Sequence, residues 1–85
     1  MLYIIGRSNC KSCSEVKVAL QNNNIKFIYL DFDKDIEQEA KREYAKMIRE
    51  ENNGYLPLII NNGIVIHEDE LYAYIKERNY KRERD

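Results

Sequence analysis

The sequence predicts an α/β domain, one mixed four-stranded sheet with helices on both faces, in the order β-α-β-α-β-β-α. Three observations carry this. Two runs rich in β-branched and aromatic residues, Leu2-Tyr3-Ile4-Ile5 and Ile25 to Leu30, flank a helix-forming stretch within the first thirty-one residues. Such a βαβ unit has a right-handed crossover and parallel strands. Further on, Leu58-Ile59-Ile60 and Ile64-Val65-Ile66 are separated by Asn61-Asn62-Gly63, and Asn-Gly is the commonest signal for a tight type I′ turn, so this pair is antiparallel. The third observation is helical spacing of apolar residues between these pairs and after the second of them.

Length and charge bound what such a domain can be. With 85 residues, 44% of them hydrophobic and 34% charged, the chain supports a single globular domain over 1–85 with one core and a charged tail, 80–85, expected to fray. Fourteen basic against fifteen acidic residues leave a net charge of −1, so bulk charge points to neither nucleic acid nor an anionic membrane as partner. No apolar run reaches eighteen residues, and the chain starts directly with a strand-like run, so a soluble, cytoplasmic protein is expected. Its two cysteines do not make the disulfide framework of a secreted domain; at this spacing in a cytosolic protein they point to redox or metal chemistry.

Each element has its own signals. Val16, Ala19 and Leu20 give the first helix its apolar positions, and Asn22-Asn23-Asn24 ends it, since Asn accepts the left-handed conformation of a helix C-terminus. Asp31 or Asp33 is expected to cap a second helix, in which Ile36, Ala40, Tyr44 and Met47/Ile48 repeat along one face while Glu37, Glu39, Lys41, Arg42, Glu43 and Lys46 take the other. That helix stops at Asn52-Asn53-Gly54, and the single proline, Pro57, precedes the hairpin. Glu68-Asp69-Glu70 opens a third helix carrying Leu71, Tyr74 and Ile75 inward, with acids suited to the positive end of its dipole. Of the seven tyrosines, Tyr3, Tyr29, Tyr44 and Tyr74 fall at positions the periodicity buries or half-buries, which favours core over a base-stacking surface.

Both cysteines lie in Arg7-Ser8-Asn9-Cys10-Lys11-Ser12-Cys13, where the first strand hands over to the first helix. The first N–H groups of a helix lack intrahelical partners and its dipole is positive there, so a thiolate at Cys10 is favoured over a thiol. Cysteine pKa values fall from about 8.5 to between roughly 3.5 and 7.5 in such settings. Cys13, three positions on, shares that face and is placed to attack a mixed disulfide formed at Cys10. The competing readings are weaker. A buried pair of small residues sits badly at a junction beside Arg7 and Lys11. A closed zinc site needs four ligands where His67 is the only histidine, and an iron–sulfur cluster shared by two protomers would need thiols from outside. No metal and no tightly bound cofactor are expected.

With these residues in view the chain resembles the glutaredoxin-like branch of the thioredoxin fold over nearly its whole length. Arg7 to Cys13 after a first strand, Tyr55-Leu56-Pro57 before the hairpin, and Gly63 followed by Glu68-Asp69-Glu70-Leu71 carry the resemblance. It implies that Cys10 is the nucleophile, that Arg7 is the basic residue common three places before it, and that Pro57 is the family's cis proline facing the disulfide. It also implies a thiol–disulfide oxidoreductase with glutathione as cosubstrate, a monomer acting on disulfide-bearing proteins such as ribonucleotide reductase. Two departures stand out: Ile66-His67 replaces the Gly-Gly pair before the acid that binds the γ-glutamyl end of glutathione, and Lys11-Ser12 replaces Pro-Tyr between the cysteines. The Tyr-Leu-Pro segment and the absent Gly-Gly are also similar to small glutaredoxin-like redoxins that thioredoxin reductase reduces. The Cys-Lys-Ser-Cys form further resembles arsenate-reductase-related regulators, longer chains with Arg-Pro where this one has Leu56-Pro57, which implies a non-catalytic redox sensor or binding module as the alternative.

Four of the substrate-binding candidates, Arg7, Lys11, Ser12 and Asp69, keep two readings, and Tyr55, Leu56 and Pro57 have one. Arg7 is a solvated strand-end residue or a thiolate-stabilising, anion-binding one; Lys11 is a surface residue or a positive charge beside the thiolate; Ser12 donates to the thiolate or continues the helical turn. Tyr55 walls the groove, with Leu56 and Pro57 docking an extended substrate backbone. Asp69 is a first-turn acid or a ligand for an ammonium group, and His67 titrates near the site or covers the sheet end.

Overall fold

A computed structural model describes the backbone of residues 1–84 and the side chains of residues 1–78. The elements are β1 (Leu2–Gly6), α1 (Lys11–Asn22), β2 (Ile28–Asp31), α2 (Gln38–Glu51), β3 (Leu58–Asn61), β4 (Ile64–Ile66) and α3 (Glu68–Arg84). The sheet runs β2-β1-β3-β4. β1 and β2 are parallel, β1 and β3 antiparallel, and β3 and β4 antiparallel. Asn62 and Gly63 both take positive φ, 52° and 83°, as a type I′ turn requires. The expected architecture and element order are thus present.

Alternation along β1 splits the core into two halves. Leu2 and Ile4 face α1 and α3, burying Val16, Leu20, Ile25, Ile59, Leu71 and Ile75 around them. Ile5 faces the other way with Leu58 and Ile36, and against these pack Ala40, Tyr44, Met47 and Ile48, the α2 face expected from the sequence. Fully burying such aliphatic side chains contributes about 1.5–3 kcal/mol each relative to exposure.

The first helix ends as its asparagines foretell. Asn24 is left-handed at φ 56°, and its N–H bonds to the Gln21 carbonyl at 3.2 Å while the Ile25 N–H reaches back to Leu20 at 3.0 Å. This is a Schellman motif, and the Leu20–Ile25 apolar contact that accompanies it lies in the core. It corrects the expected start of β2: Ile25 is committed to closing the helix, so the strand begins at Ile28.

The cap of α2 is also corrected. The Asp31 carboxylate accepts the N–H groups of Asp33 and Lys34 at 2.8 and 3.1 Å, and Asp35 accepts the Asp31 N–H at 2.7 Å. These bonds close a turn right after β2, while α2 starts later, from Glu37, with no side-chain cap. Partial desolvation raises the Asp31 pKa, but the two N–H donors, the Ser8 hydroxyl and nearby Lys34 outweigh it and hold the carboxyl below its ordinary range.

Two tyrosines depart from expectation. Tyr74 is 48% exposed, because α3 packs through the i, i+4 stripe Leu71 and Ile75, and Tyr74 lies beside it. Tyr3 shares a face with Ile5 but stands at the start of the strand and is exposed. Tyr29 and Tyr44 are half-buried as expected. The α3 backbone continues through the charged tail to Arg84, and the side chains of the tail 80–85, where fraying was expected, lie outside the described residues. Among the described residues no helix is long and apolar enough to cross a membrane.

Candidate active site at the start of helix α1

β1 ends at Gly6, and the chain turns through Arg7, Ser8 and Asn9 with the Cys10 N–H bonded to the Arg7 carbonyl at 3.2 Å. Cys10 is the N-cap of α1 in an extended conformation, φ −100° and ψ 111°, and its Sγ accepts the Cys13 N–H at 3.1 Å. A sulfur thus takes the place that a Ser or Asp oxygen commonly holds at a helix start. Cys10 and Cys13 are joined as a disulfide. Cys10 is partly exposed, whereas Cys13 is fully buried at 0%. The two sulfurs therefore differ in access, one toward solvent and one inward.

Gly6 makes room for the inner sulfur. A Cβ there would lie 2.7 Å from Cys13 Sγ, 2.9 Å from Cys13 Cβ and 2.6 Å from the Tyr29 hydroxyl oxygen. The β1–β3 register pairs Ile5 with Leu58, so one residue further Gly6 stands opposite Pro57. The Leu56–Pro57 bond is cis and Pro57 is fully buried. The cysteine pair and the proline loop thus lie at the same end of the two central strands.

Asn52 holds that loop, and sequence reasoning read it only as part of a helix stop. Its amide nitrogen donates to the carbonyls of Tyr55 at 2.7 Å and Pro57 at 3.1 Å, from a side chain only 9% exposed. The Tyr55 N–H returns a bond to the Asn52 carbonyl at 3.0 Å. Asn53 and Gly54, left-handed at φ 54° and 79°, let the chain reverse between them. Replacing Asn52 with Ala strips two carbonyls of their donor, so a loss of about 1–3 kcal/mol is expected. Thermal unfolding of Asn52→Ala checks this; a melting temperature equal to that of the parent would show that the loop holds its shape without the amide.

Two concavities flank Leu56. One, about 320 Å³, is lined by Ser12, Asn52, Asn53, Tyr55, Leu56, His67 and Glu68. The other, about 220 Å³, is bordered by Arg7, Phe32, Arg49 and Leu56 among others. The fold thus gathers Ser12, Tyr55 and Leu56 in one groove and sets Arg7 across Leu56 from it. Tyr55 is 72% exposed at the rim. Lys11 and Asp69 are exposed and line neither concavity; Glu68 takes a place in the groove, and His67 joins it. Arg7 is partly engaged: its Nε lies 3.3 Å from the Asp33 carboxylate and its guanidinium 5.0 Å from the Phe32 ring centroid. Both partners of the ion pair are more than half exposed, so it contributes at most about 1 kcal/mol. A further concavity, about 590 Å³, lies at the opposite end of β1 beside Met1 and Asn62, away from the cysteines. Among the described residues no group of three His, Cys, Asp or Glu side chains is arranged to hold a metal ion.

No family model matches this sequence, and no curated protein matches it either. Solved structures do. The chain is similar to a glutaredoxin from Methanosarcina mazei Go1, with 22% identity and a TM-score of 0.66 over 87% of this chain and 76% of that one. It is similar to wheat glutaredoxin, with 21% identity and a TM-score of 0.67 over 88% and 70%. A thioredoxin-like protein matches at 19% identity and a TM-score of 0.60 over 88% of this chain and 99% of its own. With a four-stranded mixed sheet, three helices and a cysteine pair at the first helix, this chain has the thioredoxin-like fold that the glutaredoxins share.

Proposed function

We propose that this protein is a dithiol thiol–disulfide oxidoreductase of glutaredoxin type. The observation that carries the reading is the unequal cysteine pair: Cys10 partly exposed at the start of α1 with an N–H aimed at its sulfur, and Cys13 buried directly behind it. The helix end favours negative charge on Cys10 Sγ in the reduced protein. That thiolate attacks one sulfur of a substrate disulfide, forms a bond to it and expels the other as a thiolate. Cys13 then attacks Cys10 Sγ, the substrate's remaining sulfur leaves as a thiolate, and the Cys10–Cys13 disulfide results. Two electrons have passed to the substrate. Glutathione, or a flavoprotein such as thioredoxin reductase, returns them, and the protein cycles.

Residues of the groove supply the docking. Leu56 presents its backbone to an extended substrate from the loop that the cis Pro57 shapes, Tyr55 forms an exposed wall, and Ser12 borders the groove from α1. Beyond the groove, Arg7 across Leu56 and Lys11 between the cysteines add positive charge suited to a substrate carboxylate, and at the start of α3 Glu68, which lines the groove, offers a carboxylate for an ammonium group, with Asp69 next to it outside the groove. His67 fills space where a Gly-Gly pair would leave room, which favours protein disulfides over free glutathione as the oxidised substrate.

The test is turnover of a protein disulfide by the wild-type chain with NADPH and, separately, glutathione plus its reductase or thioredoxin reductase. Consumption of NADPH with one of these donors is expected. Absence of turnover with both would reject the enzyme and leave a redox-sensing or binding module.

A further inference from the structure

The hydroxyl of Tyr29 belongs to no step of the exchange cycle just described, yet it borders the buried cysteine. Tyr29 lies in β2, paired beside Ile4 of β1, with its ring against the core face that α1 covers. Its oxygen and Cys13 Sγ both close in on Gly6, 2.6 and 2.7 Å from the point a Cβ would occupy, so the two groups are neighbours across a position with no room for a methyl. Lys17 Nζ stands 4.8 Å from the ring centroid and holds the ring from the α1 side. In the oxidised protein the hydroxyl donates to no atom of the described residues.

Opening the disulfide changes the sulfur that this hydroxyl adjoins. An incoming thiolate forms a bond to Cys10 Sγ, the Cys10–Cys13 bond breaks, and its electron pair goes to Cys13 Sγ. That sulfur is fully buried, and a buried anion without a donor is strongly disfavoured. We propose that the Tyr29 O–H donates a hydrogen bond to the Cys13 sulfur as it leaves and keeps this bond in the reduced state, a role that rests on the exchange reading above. The hydroxyl retains its own proton throughout. Burial, with the Asp31 carboxylate two residues along the strand, pushes the phenol pKa above its ordinary value, so it remains a donor at neutral pH. A hydrogen bond made in the reduced state and absent from the oxidised one shifts the equilibrium by about five- to tenfold even where the sulfur it meets has taken up a proton and the charge has passed to Cys10, which is large enough to read.

Tyr29→Phe tests this, because the ring keeps its packing and its contact with Lys17. Oxidised and reduced forms are equilibrated with mixtures of reduced and oxidised glutathione, the Cys10–Cys13 state is read by thiol alkylation, and each form is also melted. The expected result is an equilibrium constant for reduction about tenfold lower than wild type, equivalent to about 30 mV toward more negative potential. The oxidised form is expected to melt close to wild type, while the reduced form loses stability. Coincident equilibria for the two proteins, or equal losses of stability in both forms, would overturn the assignment and show that the phenol is only packing. Failure of the wild-type protein itself to equilibrate with glutathione or a small dithiol would instead strike the exchange reading on which the role rests.

Discussion

Cys10→Ser is expected to reduce disulfide turnover to background, a loss on the order of a thousandfold or more, or about 4 kcal/mol or more of barrier. A hydroxyl in the same N-cap position still accepts the Cys13 N–H and still caps α1, so the fold should persist while the nucleophile is gone. Cys13→Ser is expected to behave differently. The first attack needs only the outer sulfur, so the variant should form a mixed disulfide with its substrate and hold it, visible as an adduct by intact-mass measurement. Cys13 is fully buried, so a Ser there places a hydroxyl among apolar groups at a cost of about 1–3 kcal/mol if it finds no partner. Cys13→Ala controls for this, and it should trap the same adduct. Adduct accumulation in the Cys10 variant, with turnover at background and no adduct in the Cys13 variants, would reverse the two roles.

The assignment of inner and outer sulfur shows how far the sequence reaches. A Cys-x-x-Cys between an apolar strand and a helix-forming run is local information, and helical geometry alone brings positions 10 and 13 to one face. The hairpin at Asn62-Gly63 and the apolar stripe of α2 are equally local, since turn chemistry and periodicity write them into adjacent residues. Asn52 is different. Its significance lies in the direction of one amide, set by where Tyr55 and Pro57 return past it, and in the sequence it looks like any polar residue at a helix end. Asp31 misleads for a related reason: an Asp before a helical stretch suits a cap, but the backbone donors it meets belong to the turn that immediately follows β2. The choice between Glu68 and Asp69 at the groove depends on the phase at which α3 begins, and a one-residue change there turns a different carboxylate toward Tyr55. Gly6 carried no motif of its own, because what it avoids, Cys13 and Tyr29, comes from two other elements.

Gly6→Ala is accordingly expected to destabilise the protein, by about 1–3 kcal/mol as overpacking commonly does. Gly6 does not take a positive φ, so the substitution is tolerated by the backbone and gains about 0.4–1 kcal/mol from a less free unfolded chain. The cost lies in packing. A Cβ at 2.6 Å from the Tyr29 oxygen meets the end of a side chain that can swing aside. At 2.7 and 2.9 Å from Cys13 Sγ and Cβ it meets a fully buried group fixed both by α1 and by its bond to Cys10. Either β1 or the first turn of α1 must therefore move. For a domain of this size each kcal/mol lowers the melting temperature by roughly 4–8 °C, so thermal unfolding of the oxidised protein should show a clear drop. Combining Gly6→Ala with Tyr29→Phe locates the clash. Removing the hydroxyl relieves the 2.6 Å contact alone, so the double variant should regain only a small part of the loss. Full recovery would place the strain at the tyrosine and leave the cysteine pair free of Gly6, whereas an unchanged melting temperature in the single variant would show that α1 shifts without cost.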